Sequence, residues 1–458
     1  MMRLFFSSSL MAFVFVSIVA FALVTRMWRI STPSTYYFDE VYHAVTSKLV
    51  ARNDARAYEW WNPAPEKDTA VDWLHPPFAK LTQSLSMLVF GENSFGWRFS
   101  SVVFGTATVG VLYFVARELG FDETTSLAST GLLALSGLAL SMSRIAMNDI
   151  HVTFFILLSV GLYWRWRKSP TLLLSVLVGL STGLAFASKW SGIFLLGLFA
   201  FDTAARFKSD FLQNRTLPSR VFVQLWASLL LLIPTVYFLS YGQMFLQGKD
   251  LTHWWELHQQ IWWYQTNLEA THPYQSTPLQ WVLNLRPVYA FTDSTSTVLA
   301  DIYLQENPTL AWFGVVAVIW TLADVGMYAL STMKVVWKSA MTQQKKWQTR
   351  LKKLWLQSSD TYRLLFVVAA YAVFWLPWVI SPRIMFFYHY LPSIPFLCLL
   401  LAYQLQFLRQ KVSYGNGIAI GIIGIIALNF VLFYPHWTGL PVDRELWSWL
   451  YFALPQWQ

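Results

Sequence analysis

Cysteine and charge are both scarce in this chain of 458 residues. Its one cysteine, Cys398, excludes an intrachain disulfide and a cysteine-rich zinc site. Charged residues make up 12% of the chain and hydrophobic residues 55%, which excludes an ordinary soluble domain. The apolar runs are also too long and too continuous for the strands of a membrane barrel. The composition therefore predicts an all-α, polytopic membrane protein.

Apolar runs of membrane-spanning length recur along the chain, separated by short polar turns. They predict about eleven transmembrane helices, at residues 10–28, 96–117, 124–143, 148–165, 171–187, 190–205, 221–242, 310–334, 362–380, 384–407 and 415–434. The first run ends at Arg26 and Arg29 and is followed by no small-residue cleavage site, so it is predicted to be a retained signal anchor. We expect one integral membrane domain over residues 1–458.

The net charge of +9 is distributed unevenly between the two sides of the predicted membrane. Basic residues concentrate in loops that include residues 335–361, whereas most acids fall in two large loops at residues 29–95 and 243–309. By the positive-inside rule, the basic loops and the N-terminus are cytoplasmic and the two large loops lie outside. The basic excess therefore predicts contact with anionic membrane lipids and no nucleic-acid partner.

Both large outer loops contain segments suited to the membrane surface. In the first loop, Asp39–Val50 and Pro77–Phe90 carry apolar residues at helical spacing, which predicts two interfacial helices. The second loop is crowded with aromatic residues, among them Trp262, Trp263 and Trp281. Two interpretations of these aromatics stay open: a belt at the membrane–water interface and a binding surface.

The first candidate for chemistry is the pair Asp39 and Glu40, which follows the first predicted membrane helix. A carboxylate at this depth is partly desolvated, so it is a stronger base, and it lies within reach of a lipid headgroup. Asp39 is accordingly a candidate catalytic base. The alternative is that Asp39 is the N-cap of a helix that begins at Glu40.

Positively charged residues gather at or near the outer ends of several predicted helices. They are Arg98, Arg144, Lys189 and Arg383, with His75 and Lys80 in the first outer loop. Each one alone is explained by snorkelling towards the headgroups. Together with carboxylates they indicate a site, because charge within a membrane is costly unless it is paired or functional. Fixed cations of this kind stabilise the growing charge of a phosphate leaving group, such as that of a sugar on a polyprenyl phosphate.

Seven short segments, spread over nearly the whole chain, carry a resemblance to a known family. They are Phe38–His43, Leu74–Leu81, Gly91–Phe99, Arg144–Asp149, Ala187–Gly192, His272–Val288 and Pro382–Pro392. The first two segments resemble the Asp-Glu and His-Pro-Pro-Leu-Gly-Lys signature of protein O-mannosyltransferases, with Ala79 in place of the usual glycine. The chain lacks room for the large domain that eukaryotic members insert in the second outer loop, so it resembles the short prokaryotic type.

The resemblance implies a C-type glycosyltransferase fold. It also implies transfer of mannose from polyprenyl-phosphate-mannose to Ser or Thr hydroxyls of exported polypeptides, with inversion at the sugar carbon and Asp39 as the general base. The active site would lie on the outer face of the cell membrane. No cofactor is required, and a dimer is compatible with the resemblance because family members often pair.

Two other functions are weighed against this one. A related lipid-carrier enzyme could use another sugar, or a lipid or polysaccharide acceptor, since such selectivity depends on the shape of the pocket. A transporter of lipid-linked sugars is disfavoured, because its polar residues would lie near the middle of the membrane, whereas those of this chain gather at one surface.

Each of the other candidate residues has an expected role in such a site. Contact with the donor phosphate or sugar is expected for Arg98, Arg144, Lys189, Arg383, His75 and Lys80. Contact with the acceptor or the sugar is expected for Asp149, Gln275, Ser276, Trp281 and His389.

Several of these roles have structural alternatives. Glu40 either holds an arginine in place or binds the acceptor backbone. In the structural alternatives, Arg383 caps its own helix and His75 caps the helix that follows it. His389 is then a packed, hydrogen-bonded histidine. No metal site is predicted, because Asp39, Glu40, Asp149 and His151 lack a recognised ligand spacing; a divalent metal is compatible with the sequence but not indicated by it.

Overall fold

A computed structural model describes residues 8–63, 65–212, 219–341 and 359–457. Helices dominate, because apolar segments in lipid must satisfy their backbone hydrogen bonds internally. The α-helices of the described residues are α1 (Ser8–Met27), α2 (Glu40–Ala51), α3 (Phe78–Phe90), α4 (Ser94–Glu118), α5 (Glu123–Ala134), α6 (Gly137–Met142), α7 (Asp149–Lys168), α8 (Leu172–Ser188), α9 (Phe194–Leu212), α10 (Ser219–Ser240), α11 (Gly242–Leu246), α12 (Leu251–Asn267), α13 (Pro278–Val282), α14 (Pro308–Met341), α15 (Ser359–Val373), α16 (Ile394–Lys411), α17 (Gly415–Thr438) and α18 (Arg444–Tyr451).

Seven helical segments among the described residues are long and apolar enough to cross a membrane. They lie at Ser9–Met27, Ser94–Glu118, Arg220–Ser240, Pro308–Ser331, Thr361–Ile380, Phe387–Lys411 and Gly415–Thr438. The predicted multi-pass helical protein is therefore confirmed, whereas the predicted count of eleven spans is not. The third predicted span is broken into α5 and α6, because the Ser136 hydroxyl accepts a hydrogen bond of 3.0 Å from Ala139 N and starts a new helix.

Other helix boundaries also differ from the prediction. Short 3₁₀ helices at Leu376–Ile380 and Phe387–Ser393, each containing a proline, end the ninth predicted span and begin the tenth. Helix α14 continues to Met341, past its predicted end at residue 334. The remainder of the predicted basic loop, residues 342–358, lies outside the described residues.

The membrane helices pack around two centres. Helix α7 packs against α4 and α8, and α8 packs against α10. Helix α16 is the most buried of the membrane-spanning segments and contacts α5, α14, α15 and α17. Residues on the outer surface of the bundle are apolar and exposed, for example Leu230 and Leu231 of α10 and Val431 of α17. This surface suits contact with lipid.

The first large outer loop forms the two helices that its apolar spacing predicts. Helix α3 has an unusual distribution, because Leu85, Leu88 and Val89 are exposed while Lys80 and Gln83 are buried. A helix that turns its apolar face outwards and its polar face towards the protein is suited to the membrane interface.

The second large outer loop contains short strands that an all-α prediction missed. Strands β1 (Val288–Thr292) and β3 (Asp301–Leu304) form one antiparallel pair. Strands β2 (Val298–Leu299) and β4 (Val442–Asp443) form a second pair and tie the loop to the C-terminal segment. The strands are too short for periodicity to identify them, since two of them have only two residues.

Candidate active site

Asp39 occupies the N-cap position of α2, but its side chain makes no capping hydrogen bond. The alternative therefore predicted the position of Asp39 correctly, but the carboxylate is not used for capping. Its Oδ2 atom instead accepts a hydrogen bond of 3.3 Å from the Tyr388 hydroxyl. Burial raises the pKa of Asp39 to about 6; the nearby Asp149 also raises it, while His43, Tyr388 and Lys189 oppose the rise. A carboxylate with this pKa is ionised near neutral pH and still basic enough to accept a proton.

The backbone next to Asp39 is in an unusual conformation. Phe38 has a φ of 49°, in the left-handed region, which costs a bulky residue on the order of 1–3 kcal/mol. Its ring packs edge-on against Phe386 and Tyr388, with centroid distances of 6.4 and 5.9 Å. These contacts hold the turn that presents the Asp39 carboxylate beside Tyr388.

Glu40 and Arg98 form a buried ion pair, and both side chains are fully buried. The Nε and Nη2 atoms of Arg98 donate to the two carboxylate oxygens over 2.8 and 2.7 Å. Its remaining hydrogens reach the carbonyls of Ile30, Pro33 and Thr35. All five guanidinium hydrogens are thus used within the described residues, which leaves Arg98 no donor for the predicted phosphate contact.

Arg144 also donates hydrogen bonds to backbone carbonyl groups. Its Nη1 atom donates to the carbonyls of Arg26 and Trp28 over 2.8 and 2.7 Å, at the C-terminal end of α1. Carbonyl groups at that position have no partner within the helix, and a cation there interacts favourably with the helix dipole. The described geometry makes Arg144 a cap for α1, in contrast to the predicted phosphate ligand.

Lys189 and Asp149 lie beside Asp39. Lys189 Nζ donates to Asp149 Oδ1 over 2.7 Å, and both residues are buried. The same ammonium lies 5.3 Å from the centre of the Tyr388 ring. Lys189 has an extended backbone between α8 and a 3₁₀ turn, which directs its side chain across to the first turn of α7. The structure therefore brings these two predicted residues together with Asp39.

Arg383 differs from the other predicted cations. It is partly exposed, and the described residues offer its guanidinium neither a hydrogen bond nor an ion pair; its Nε atom is nevertheless buried. Its charge acts on Tyr388 and His389, so it lies near the candidate base. Arg383 is thus a candidate cation at this site whose guanidinium is not engaged by the described residues.

His75 and Lys80 both contact Asp72. Their Nδ1 and Nζ atoms lie 2.9 and 3.0 Å from its carboxylate oxygens. Lys80 also donates to the carbonyls of Asp72 and His75. Burial alone would raise the pKa of Asp72, but His75, Lys80 and His43 hold it well below its usual range. Burial lowers the pKa of His75 to about 4, so this imidazole is neutral near pH 7.

Four of the residues predicted to contact the acceptor or the sugar have mainly packing contacts. Gln275 is exposed, and its side-chain oxygen accepts from the His272 backbone. Ser276 accepts from Trp281 Nε1 over 2.8 Å, and Trp281 is fully buried. His389 stacks on Trp281 with a centroid distance of 5.9 Å, and its Nδ1 atom lies 3.0 Å from the Phe386 carbonyl. This is the arrangement that the packing interpretation of His389 predicts.

Comparison with known families and structures decides what kind of protein this is. The family described as "Dolichyl-phosphate-mannose-protein mannosyltransferase" matches residues 16–248. The family described as "C-terminal four TMM region of protein-O-mannosyltransferase" matches residues 250–457. The chain belongs to the protein O-mannosyltransferase family.

Individual members of the family are similar over most of their length. The polyprenol-phosphate-mannose–protein mannosyltransferase of Mycobacterium tuberculosis is 24% identical over 84% of this chain and 81% of its own. That of Mycolicibacterium smegmatis is 24% identical over 96% of this chain and 92% of its own. The Pmt1–Pmt2 complex of S. cerevisiae, bound to its sugar donor, has a chain with a TM-score of 0.74 and 14% identity, covering 96% of this chain and 92% of that one. The C-type glycosyltransferase fold is therefore confirmed.

The site of this mannosyltransferase contains two residues that the sequence analysis did not single out. Tyr388 contacts Asp39 from the far end of the chain, and Asp72 joins His43, His75 and Lys80. The signal for Asp72 was its position three residues before His75 and eight before Lys80, which brings it close to both. No local pattern predicts the Tyr388 contact, because it depends on how the two halves of the fold pack together.

Proposed function

We propose that this mannosyltransferase transfers mannose from polyprenyl-phosphate-mannose to a Ser or Thr hydroxyl of an exported polypeptide, with Asp39 as the general base. The observation that carries the proposal is the Asp39 carboxylate itself: it makes no capping bond, its pKa is raised to about 6, and Lys189, Asp149 and Tyr388 surround it. Burying several charged groups together is unfavourable, and such clusters are therefore typical of functional sites.

The reaction is a single displacement at the anomeric carbon. Asp39 accepts the proton of the acceptor hydroxyl as its oxygen forms the new bond to the sugar, and the bond between the sugar and the phosphate oxygen breaks. The polyprenyl phosphate leaves with the bonding electrons and gains one negative charge. Attack from the face opposite the phosphate inverts the sugar carbon. No covalent enzyme intermediate is needed, so one base is sufficient.

The growing charge on the leaving phosphate requires a fixed cation. Arg383 is the candidate for this role, because its guanidinium is not used by the described residues and a planar fork of donors fits a phosphate. Lys189 lies closer to the base and is already paired with Asp149. We assign Lys189 to the orientation of the sugar and of Asp39. Arg98, Arg144 and Lys80 are assigned to the support of the first outer loop.

The proposed membrane topology follows from the distribution of charge. The N-terminus is cytoplasmic, and residues 29–95 and 243–309 face the outside of the cell membrane. The active site is then open to the face where exported polypeptides emerge. The whole chain acts as one catalytic membrane domain in this proposal, and a dimer stays a prediction from the family.

Transfer of labelled mannose from synthetic polyprenyl-phosphate-mannose tests the proposal. The purified chain is given a Ser/Thr-rich peptide, the same peptide with alanine at every Ser and Thr, or a lipid acceptor. Label should appear on the first peptide only, and Asp39→Asn should bind donor yet lose transfer by about 100-fold or more. The matched control is Asp68→Asn, because Asp68 is exposed and Asn readily adopts its φ of 58°. Label on the lipid acceptor would instead favour the related lipid-modifying activity.

A further inference from the structure

Three potential metal ligands converge next to the candidate active site. The ligand atoms of His43, Asp72 and His75 all lie within 4.8 Å of one another. His43 Nδ1 lies 2.8 Å from Asp72 Oδ2, and His75 Nδ1 lies 2.9 Å from Asp72 Oδ1. The cluster is held in place by the Thr46 hydroxyl, which accepts a hydrogen bond of 2.7 Å from Asp72 N.

Two of these atoms are buried and contact each other. His43 Nδ1 lies 2.8 Å from Asp72 Oδ2, and Lys80 Nζ lies 3.0 Å from the same oxygen. Both residues are more than nine-tenths buried. Ligand atoms with bonds of about 2.1 Å lie about 3.4 Å apart in a tetrahedral site and about 3 Å apart in an octahedral one. A separation increase of about 0.2–0.6 Å would therefore place both atoms on one ion.

We propose that His43, Asp72 and His75 bind a divalent transition-metal ion through two imidazole nitrogens and one carboxylate oxygen. Imidazole nitrogens favour ions such as Zn²⁺ over Mg²⁺ and Ca²⁺, which prefer oxygen ligands. The His75 side chain is 23% exposed, so an ion can enter from this side and keep water in its remaining positions.

The ion would join two parts of the first outer loop. His43 belongs to α2, and its backbone N–H donates to the Asp39 carbonyl over 3.0 Å. Asp72 and His75 belong to the segment before α3. Bound metal would therefore fix the turn that carries Asp39 against this segment, as a positioning element outside the displacement step. Metal binding can be measured without mannosyl transfer, so failure of one proposal does not imply failure of the other.

Lys80 is the competitor for the same carboxylate. Its Nζ atom lies 3.0 Å from Asp72 Oδ2 and is buried with it. The ammonium neutralises Asp72 and would repel a dication nearby. We therefore expect Lys80→Met to raise the affinity for metal by about tenfold or more. A site created by adventitious surface histidines would not respond in this direction.

The test uses the full purified chain, stripped of metal with a chelator, and titration with Zn²⁺ followed by calorimetry. One ion per chain is expected, with His43→Gln and His75→Gln each lowering the affinity by at least about 100-fold. His253→Gln is the matched control, because His253 bonds to the Tyr58 carbonyl and lies outside the cluster. Co²⁺ should give the absorption bands of a nitrogen- and oxygen-ligated ion in wild type and His253→Gln, but not in His43→Gln or His75→Gln.

Several results would overturn the site. They are wild-type binding no tighter than that of His43→Gln or His75→Gln, an equal loss of affinity in His253→Gln, which means an adventitious ion only, or an unchanged affinity in Lys80→Met. If the histidine variants fail to fold, the wild-type chain and Lys80→Met still decide the matter. Zn²⁺ must then raise the melting temperature of wild type, and must raise that of Lys80→Met at lower concentrations.

Discussion

The hydroxyl group of Tyr388 donates a hydrogen bond of 3.3 Å to Oδ2 of Asp39, although 349 positions separate the two residues. One partner lies in the region matched by the first family description and the other in the region matched by the second. The Tyr388 ring also lies 5.3 Å from the Lys189 ammonium. The environment of the candidate base is therefore built jointly by both halves of the chain.

The first prediction concerns pH. Only the ionised form of Asp39 can accept a proton, and its pKa is raised to about 6. We therefore expect kcat/KM to fall as the pH drops through about 6 and to level off above it. Tyr388→Phe should move this midpoint to higher pH by less than about one unit, because the lost hydrogen bond stabilises the charged carboxylate. The measurement is a pH profile with a chelator present.

A control separates this effect from general damage. The groups that act on Asp39 besides Tyr388 are Asp149, His43 and Lys189, and all three stay in place in Tyr388→Phe. Tyr414→Phe is the matched variant, because Tyr414 is 84% exposed and directly precedes α17, outside the contacts of Asp39. An unchanged midpoint in Tyr388→Phe, or an equal shift in Tyr414→Phe, would contradict the assigned interaction.

The second prediction separates Arg383 from the other cations. Arg383→Gln should weaken donor binding by about tenfold or more, since hydrogen bonds to charged groups contribute about 1.5–3 kcal/mol. Its thermal stability should stay near that of wild type, because its guanidinium is unused by the described residues. Donor affinity is measured with labelled polyprenyl-phosphate-mannose, and Arg56→Gln at an exposed ion pair is the control. Unchanged donor affinity would remove Arg383 from the phosphate site.

Periodicity and charge predicted much of the fold. The apolar runs located the membrane helices, and apolar spacing located both helices of residues 29–95, α2 and α3. What they could not predict were the break between α5 and α6 and the pairing of β2 with β4. Both features depend on contacts with distant residues: Glu306, for example, accepts a hydrogen bond of 3.0 Å from the Gly137 backbone.

The sequence predicted which residues gather in the site but not how each is used. Arg98, Arg144 and Arg383 look alike as charges at the ends of helices. They differ in their contacts in the folded protein. Arg98 forms an ion pair with Glu40, and Arg144 donates hydrogen bonds to carbonyls at the end of α1. Arg383 makes neither kind of contact with the described residues. A charge pattern does not show which hydrogen-bond donors are already used by the protein. It therefore predicted structural and functional cations together.

The third prediction tests the structural role of Glu40. Glu40→Gln should lower the stability of the protein strongly, because breaking one side of a buried ion pair costs about 3–5 kcal/mol. The amide also loses one of the acceptor oxygens that meet Arg98 and the Ala146 backbone. Thermal unfolding in detergent is the measurement, with the exposed Glu66→Gln as the control. A Glu40→Gln chain that is stable but inactive would assign Glu40 to catalysis instead.

The fourth prediction concerns the outward face of α3. Leu85, Leu88 and Val89 are 62%, 67% and 65% exposed, which is unfavourable in water but favourable at the membrane interface. Cys398, the one cysteine of the chain, is fully buried, so a cysteine introduced at position 88 can be labelled selectively. A nitroxide on Leu88→Cys in lipid bilayers should be reached by dissolved oxygen more readily than by a water-soluble nickel reagent. Lys67→Cys, at an exposed polar position of the same loop, should show the opposite preference. Equal access of the nickel reagent to both labels would place α3 in water and contradict an interfacial helix.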